Sequence, residues 1–264
     1  MFSIAALART RKARRIPRQI YPKALERDYA KFLRSLRGII EKEYAPIIAR
    51  MPNEIARLKI DAEETDLEKL IKIAEQNLKE TLDPSRLKPF LERATARAET
   101  WVSGQLAKQT KAAVGVDIIG SNPYQMKRAE AFVQANVQLI KGITEGTTQR
   151  LNNTLMRAVQ NGSNYQDLAK DLQKDFSFTE DKAKFIARDQ MGKLYGQVNA
   201  DQQKGLGIKQ FIWRTSGDER VRDEHKALDG ITFSYDDLPD EGLPGDPILC
   251  RCHAEPVFDF LTEE

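Results

Sequence analysis

The feature that most constrains the fold is a helical spacing of apolar residues that runs through most of the chain and then stops. Between residues 23 and 204 apolar side chains recur at intervals of three and four, the spacing of amphipathic helices. A break over 115–123 precedes the longest predicted helix, at 124–160. Gly142 and Gly146 lie inside that helix, and because glycine weakens a helix interior we expect a kink or a close helix crossing there.

After Gly205 the chain changes character. The segment 208–215 is rich in β-forming residues, and prolines and glycines are frequent beyond it, which indicates short strands and loops. We therefore predict a mainly α protein, with an elongated helical body and a small C-terminal α+β head. The predicted domains are a basic N-terminal arm over 1–22, the helical body over 23–204 and the head over 205–264.

The composition argues against membrane and secreted classes of protein. No apolar run approaches the roughly 18 residues that a membrane-spanning helix needs. The apolar stretch at 2–8 is followed, not preceded, by basic residues, which is the wrong order for a secretory signal. The two cysteines, Cys250 and Cys252, are too few for a disulfide scaffold and too close for an unstrained disulfide. We infer a reducing compartment and no membrane partner.

The net charge of +3 conceals a gradient along the chain. Residues 1–50 hold 13 Lys and Arg against four Asp and Glu, whereas residues 215–264 hold four against 14. We predict that the basic arm binds DNA through its phosphates, without sequence specificity, or contacts an acidic protein partner. A solvated terminus without a specific ligand is the alternative. The candidate nucleic-acid-binding residues are Arg9, Arg11, Lys12, Arg14, Arg15 and Arg18.

Both histidines and both cysteines of the chain fall within its last 40 residues, as His225, Cys250, Cys252 and His253. Two thiolates and two imidazoles form a complete tetrahedral set for one structural zinc. The C-x-C-H spacing is unusual, however, and adjacent Cys252 and His253 could share a metal only with a turned backbone. Two interpretations stay open: one structural zinc on these four residues, or no cofactor, with the cysteines reduced and packed in the head.

Complete enzyme motifs are missing from the sequence. Residues 115–120 have the glycine spacing of a phosphate loop, but Ser121 and Asn122 replace its essential Lys-Ser/Thr pair. No G-x-G-x-x-G or H-E-x-x-H occurs, and neither histidine begins the H-x-E of a zinc deaminase. A metal-dependent nuclease that uses His225 and His253 stays as an alternative function, although no asparagine follows Asn199 to position its groups.

A series of short motifs in the second half of the chain resembles the phage Mu F-like head morphogenesis family. In order they are I-A-R-D at 186–189, W-R-T at 213–215, G-D-E-R-V-R-x-x-H at 217–225, L-D-G at 228–230 and C-R-C at 250–252. The resemblance covers roughly residues 125–258. Its candidate functional residues are Trp213, Asp218, Arg220, Arg222, His225 and Gly230.

The resemblance implies a minor capsid protein of a tailed phage or prophage. Such a protein associates with the portal, contacts capsid or scaffold proteins, acts in head assembly and ends in the head interior after a stage in the host cytoplasm. Some relatives carry a toxin or nuclease domain after the C-terminal motif. Only residues 255–264 follow here, and we expect no enzymatic activity. Besides the nuclease, a stand-alone DNA-binding protein of the host is the remaining rival.

Overall fold

A computed structural model describes residues 16–57, 66–115, 126–161, 165–175 and 180–258. Within these ranges the chain forms seven helices and three short strands. The helices are α1 (Lys23–Arg57), α2 (Asp66–Thr81), α3 (Pro84–Val114), α4 (Met126–Asn161), α5 (Tyr165–Asp175), α6 (Glu180–Gly205) and α7 (Asp223–Leu228). The strands are β1 (Gln210–Arg214), β2 (Thr232–Ser234) and β3 (His253–Pro256). The predicted fold class, mainly α with a small C-terminal α+β region, is confirmed.

Helix α4 is continuous through its two central glycines. A Cβ atom at Gly142 would meet no atom within 4 Å, and one at Gly146 would meet only the Arg150 guanidinium at 3.7 Å. The close helix crossing predicted at these glycines is therefore wrong for the described part of the chain. The glycine spacing gave a wrong prediction because the sequence does not distinguish an open helix face from one that packs closely against another element.

The chain divides into two compact units. Unit 1 comprises Met1–Arg27, Glu92–Phe132 and Phe185–Glu264, and unit 2 comprises Asp28–Leu91 and Val133–Lys184. The division into arm, body and head rests on the texture of the sequence and stays a prediction. Among the described helices, none combines the length and the apolar character that a membrane span requires.

Unit 2 is built from amphipathic helices that bury their apolar faces against one another. A chain of hydrogen bonds runs from its core to partly buried residues: the Tyr44 hydroxyl donates to Asn152 Oδ1 at 2.7 Å, and the Asn152 amide donates to Glu75 Oε1 at 2.6 Å. Because burial without partners is costly, this chain satisfies groups that would otherwise destabilise the unit. One cluster of buried apolar residues in this unit comprises Ile40, Tyr44, Ile47, Ile71, Ala74, Leu78, Leu151, Leu155, Ala158, Leu168 and Leu172.

Unit 1 contains a three-stranded antiparallel sheet in the order β2-β1-β3. Trp213 of β1 pairs with Ala254 of β3 and is fully buried. The described core that covers the sheet comprises Ala113, Ala200, Ile208, Phe211, Trp213, Tyr235, Leu243, Cys250, Cys252, Ala254 and Phe258. Both cysteines therefore belong to the core, directly before the strand that closes the sheet.

A buried hydrogen-bond network attaches β3 to helix α6. The side-chain amides of Asn199 and Gln203 both donate to the Ala254 carbonyl oxygen at 2.8 Å. The Gln19 amide donates to Asn199 Oδ1 at 2.9 Å and to Gln109 Oε1 at 3.1 Å, which brings the segment before α1 and helix α3 into the same network. These bonds fix the position of β3, and with it the position of the cysteines that precede it.

Candidate metal centre

His225, Cys250 and Cys252 meet in the interior of unit 1. His225 Nδ1 lies 3.6 Å from Cys250 Sγ and 3.5 Å from Cys252 Sγ, and the three ligand atoms lie within 4.8 Å of one another. All three residues are buried, and both cysteines are free thiols. One imidazole nitrogen and two sulfurs around a common point form a donor set that suits zinc.

His253, the fourth ligand that the sequence suggested, is not in this group. It is the first residue of β3 and pairs with Arg214, and neighbouring side chains on a strand point to opposite faces. Burial lowers the pKa of His253 to about 4, so its imidazole is neutral at physiological pH. The structure therefore brings together three of the four predicted ligands, because His253 is held in the extended strand β3.

Helix α6 holds the backbone that carries Cys250. The Arg188 Nε donates to the Leu249 carbonyl oxygen at 3.1 Å, and the Leu249 N–H donates to Asp189 Oδ1 at 3.1 Å. Leu249 has a φ of 59°, a left-handed conformation that residues with a Cβ seldom adopt. Two adjacent side chains of the I-A-R-D motif thus fix both polar groups of the residue before Cys250.

We expect Asp189→Ala to lower the free energy of unfolding by about 1–3 kcal/mol, because the Leu249 N–H would lose its acceptor. Lys193→Gln is the matched control, since Lys193 pairs with the other carboxylate oxygen of Asp189 at 2.8 Å and does not touch Leu249. The control should cost about 1 kcal/mol or less. Urea unfolding of both variants measures the difference, and equal losses would show that the Leu249 contact is unimportant.

Two glycines of α6 allow this loop to approach the helix. A Cβ atom at Gly192 would lie 2.5 Å from the Cys250 carbonyl oxygen, and one at Gly196 would overlap the Pro244 carbonyl oxygen. Backbone atoms cannot yield as a flexible side chain can. The close contact at these two glycines was not predicted from the sequence. Their spacing of four, which places both on one face of α6, is the signal that could have predicted it.

The other side of His225 faces an acid. His225 Nε2 lies 3.5 Å from Glu241 Oε2, and no described group satisfies it with a hydrogen bond of good geometry. The imidazole packs edge-on against Trp213, with ring centroids 5.4 Å apart and an interplanar angle of 69°. A carboxylate behind an imidazole is the arrangement that orients metal-binding histidines in other proteins. Glu241 was not predicted from the sequence.

The pKa values of the two thiols are shifted in opposite directions. A hydrogen bond from the Cys252 thiol lowers the pKa of Cys250 below its usual value. The backbone N–H groups of Cys252 and Gly245 and the nearby His225 act in the same direction, and burial acts against them. The pKa of Cys252 is raised, because it donates that hydrogen bond and is buried. The opposite directions of the two shifts make Cys250 the more acidic of the two thiols.

A cavity of about 200 Å³ adjoins the three candidate ligands. Its lining includes His225, Cys250 and Cys252 together with four arginines, which are Arg188, Arg220, Arg222 and Arg251. Arg220 and Arg222 lie in the loop before α7. Arg222 donates to the Ile248 carbonyl oxygen, and Arg251 forms a two-pronged ion pair with Glu26. The cavity is strongly basic.

The remaining motif residues build the loops around the sheet. Asp218 Oδ1 accepts the backbone N–H of Arg220 at 3.1 Å, which closes a turn. Gly230 has a φ of 86° and donates its N–H to the Trp213 carbonyl oxygen at 2.9 Å. The left-handed turn at Gly230 requires glycine, and Trp213 fills the core. These three residues have roles in folding.

The predicted DNA-binding arm is described only at its end. Arg18 is exposed, as a phosphate-binding side chain must be. The other five candidates, Arg9, Arg11, Lys12, Arg14 and Arg15, lie outside the described residues.

Comparisons with known proteins give matches to parts of the chain. Residues 149–255 match a family described as Phage Mu protein F like protein, which confirms the predicted resemblance over that range. An uncharacterized protein of Haemophilus influenzae is 36% identical over 174 residues, which cover 64% of this chain and 38% of that protein. An uncharacterized protein of Methanocaldococcus jannaschii is 29% identical over 123 residues, which cover 46% of this chain and 19% of that protein. No solved structure matches the chain.

Proposed function

We propose that the protein is a minor head protein of a tailed phage or prophage, because residues 149–255 match the family described as Phage Mu protein F like protein. The match itself is the observation that carries the proposal. It includes the Arg188-Asp189 pair on α6, the loop with Arg220 and Arg222, and the two cysteines. The aligned segments span well under half of both relatives, so the function of the complete relatives is not transferred.

The roles of the motif residues favour a structural protein. Trp213 is core, Gly230 forms a turn, and Asp229 accepts the Thr215 N–H at 2.9 Å. Asp189 supports the loop that carries Cys250. Residues with such roles specify a rigid shape, which a protein needs in order to dock at a defined place in a shell.

The charge gradient supports different partners for the two ends of the chain. The basic arm would contact packaged DNA or an acidic portal or scaffold surface, while the acidic C-terminal segment would avoid DNA and contact protein. We assign the protein to the head interior after assembly, with a preceding stage in the host cytoplasm. A metal-dependent nuclease is the alternative, and the experiments below include it as an outcome.

Co-expression with the portal protein from the same genome tests the proposed partner. We expect the chain to sediment with the portal oligomer in a sucrose gradient and to leave supercoiled plasmid intact in the presence of Mg²⁺ or Zn²⁺. A chain that stays at the top of the gradient would contradict portal association. Plasmid nicking that disappears in His225→Ala would favour the nuclease.

DNA binding by the basic arm should depend strongly on salt concentration. If it binds phosphates alone, replacing the six candidate residues Arg9, Arg11, Lys12, Arg14, Arg15 and Arg18 with glutamine should reduce the slope of log affinity against log salt by up to about 5, because each phosphate contact contributes about 0.9. Fluorescence anisotropy with two duplexes of unrelated sequence at several salt concentrations measures both the slope and the lack of specificity.

A variant with the same charge loss elsewhere separates the arm from net charge. Its six glutamines replace exposed lysines outside the arm: Lys23, Lys31, Lys79, Lys141, Lys170 and Lys209. This variant should keep most of the salt dependence. Equal losses in the two variants would mean that overall charge, not the arm, attracts DNA.

A further inference from the structure

We propose that His225, Cys250 and Cys252 bind one zinc ion, and that the fourth coordination position of this ion opens into the arginine-lined cavity and accepts a small anion. The inference goes beyond the role in head assembly and does not depend on it.

The spacing of the donor atoms fits a tetrahedral zinc. With Zn–S bonds of about 2.3 Å and a Zn–N bond of about 2.0 Å, tetrahedral geometry separates nitrogen from sulfur by about 3.5 Å. The His225 Nδ1 lies 3.5 Å from one sulfur and 3.6 Å from the other. The imidazole nitrogen therefore stands at the required separation from each sulfur, and all three ligand atoms lie within 4.8 Å of one another.

The surroundings hold these donors in place. The loop before Cys250 is fixed by Arg188 and Asp189, and Glu241 lies behind His225 at its second ring nitrogen. His225 Nε2 is buried and forms no hydrogen bond of good geometry in the described part of the chain. With zinc on Nδ1, the imidazole would carry its proton on Nε2, directed toward the Glu241 carboxylate.

The residues that the structure describes would leave one position on the ion unfilled. Among the described histidines, cysteines, aspartates and glutamates, only the three named residues place ligand atoms together at this point. Three protein ligands and one exchangeable position characterise zinc sites that bind a small ligand, whereas purely structural sites have four protein ligands.

The cavity favours an anion at the open position. Zinc with two thiolates and one neutral imidazole carries no net charge. Four arginines line the cavity; Glu26 forms an ion pair with Arg251, and Glu26 and Asp218 both lie close enough to Arg188 to act on its charge. Arg220 is exposed and its guanidinium is a cavity-lining group. A phosphate or similar oxyanion suits such a cluster because guanidinium groups bind oxyanions through paired hydrogen bonds.

Metal content tests the ligand set. Protein purified without chelator should contain about one zinc per chain by elemental analysis. Cys250→Ser, Cys252→Ser and His225→Ala should each lose most of it. His253→Gln is the matched control, since His253 is also a buried histidine of unit 1 but lies outside the cluster, and it should keep its zinc. Less than about 0.1 zinc per chain in the unsubstituted protein would overturn the proposal.

A second readout needs no variant. The two thiols of the unsubstituted protein should react slowly with a thiol reagent and become rapidly reactive after a chelator removes the metal. Cobalt in place of zinc should show thiolate-to-metal absorption and the visible bands of tetrahedral geometry. Thiol reactivity that ignores the chelator would contradict metal binding, even if a substituted chain failed to fold.

Inorganic phosphate then probes the open position. Adding it to the cobalt-loaded protein should shift the visible bands, and Arg220→Gln should raise the phosphate concentration needed at least several-fold. Lys226→Gln is the control, because Lys226 is an exposed cation on the same loop-helix segment that pairs with Asp223 and does not line the cavity. The proposed anion-binding position would be refuted if phosphate did not shift the bands, or if both substitutions changed the required phosphate concentration equally.

Discussion

Glu26→Gln should lower the free energy of unfolding by about 3–5 kcal/mol, because it leaves a largely buried guanidinium without its counter-charge. Arg251 lies between the two cysteines, and its Nη2 approaches both oxygens of Glu26, at 2.7 and 2.9 Å. The side chains are only 13% and 16% exposed, so solvent screens the pair weakly. Chemical denaturation followed by circular dichroism measures the loss.

Two further variants show whether the cost comes from the unpaired charge. Glu26→Gln combined with Arg251→Met should recover part of the loss, since the buried cation is then removed as well. Glu145→Gln breaks an exposed pair with Lys141 and should change stability by about 0.5 kcal/mol or less. A loss at Glu26 no larger than that of the exposed control would refute the importance of the pair.

Gly196→Ala should destabilise the protein by about 3 kcal/mol or more, because the added methyl group overlaps the Pro244 carbonyl oxygen and presses on Gly245. The loop would have to move away from α6, and Cys250 lies on that loop. The variant should therefore also weaken zinc binding at the cluster. Thermal and urea unfolding give the stability change, and metal analysis gives the second effect.

Gly104→Ala is the matched substitution in a helix of the same unit. A Cβ atom there meets nothing within 4 Å, so the change should be neutral or stabilising by up to about 1 kcal/mol through helix propensity. If both glycine variants behaved alike, the close approach between α6 and the loop would not exist.

The helical part of the fold follows from local signals. The spacing of apolar residues predicted each long helix, because every one of them buries a continuous stripe such as Ile71, Ala74 and Leu78 in α2. The change at Gly205 likewise predicted the short sheet, because β-formers at 208–215 coincide with β1. These features need only neighbours within a few residues, and so a sequence reveals them.

The site could be predicted only in part. The presence of His225, Cys250 and Cys252 in one segment pointed to a cluster, but the exclusion of His253 depends on extended backbone at β3. Glu26 is 225 residues from Arg251 along the chain, and no local pattern joins them. Glycine spacing was equally ambiguous, since the same spacing of four marks an open face in α4 and a tight contact in α6.

The most direct test of the central claim is the protein composition of purified heads. Heads produced by the phage or prophage that encodes the chain should be separated from free protein by gradient centrifugation and analysed by quantitative mass spectrometry. We predict peptides of this chain, including those from 149–255, at a few copies per head beside portal and major capsid protein. Heads that contain both of those proteins but none of this chain would contradict the account.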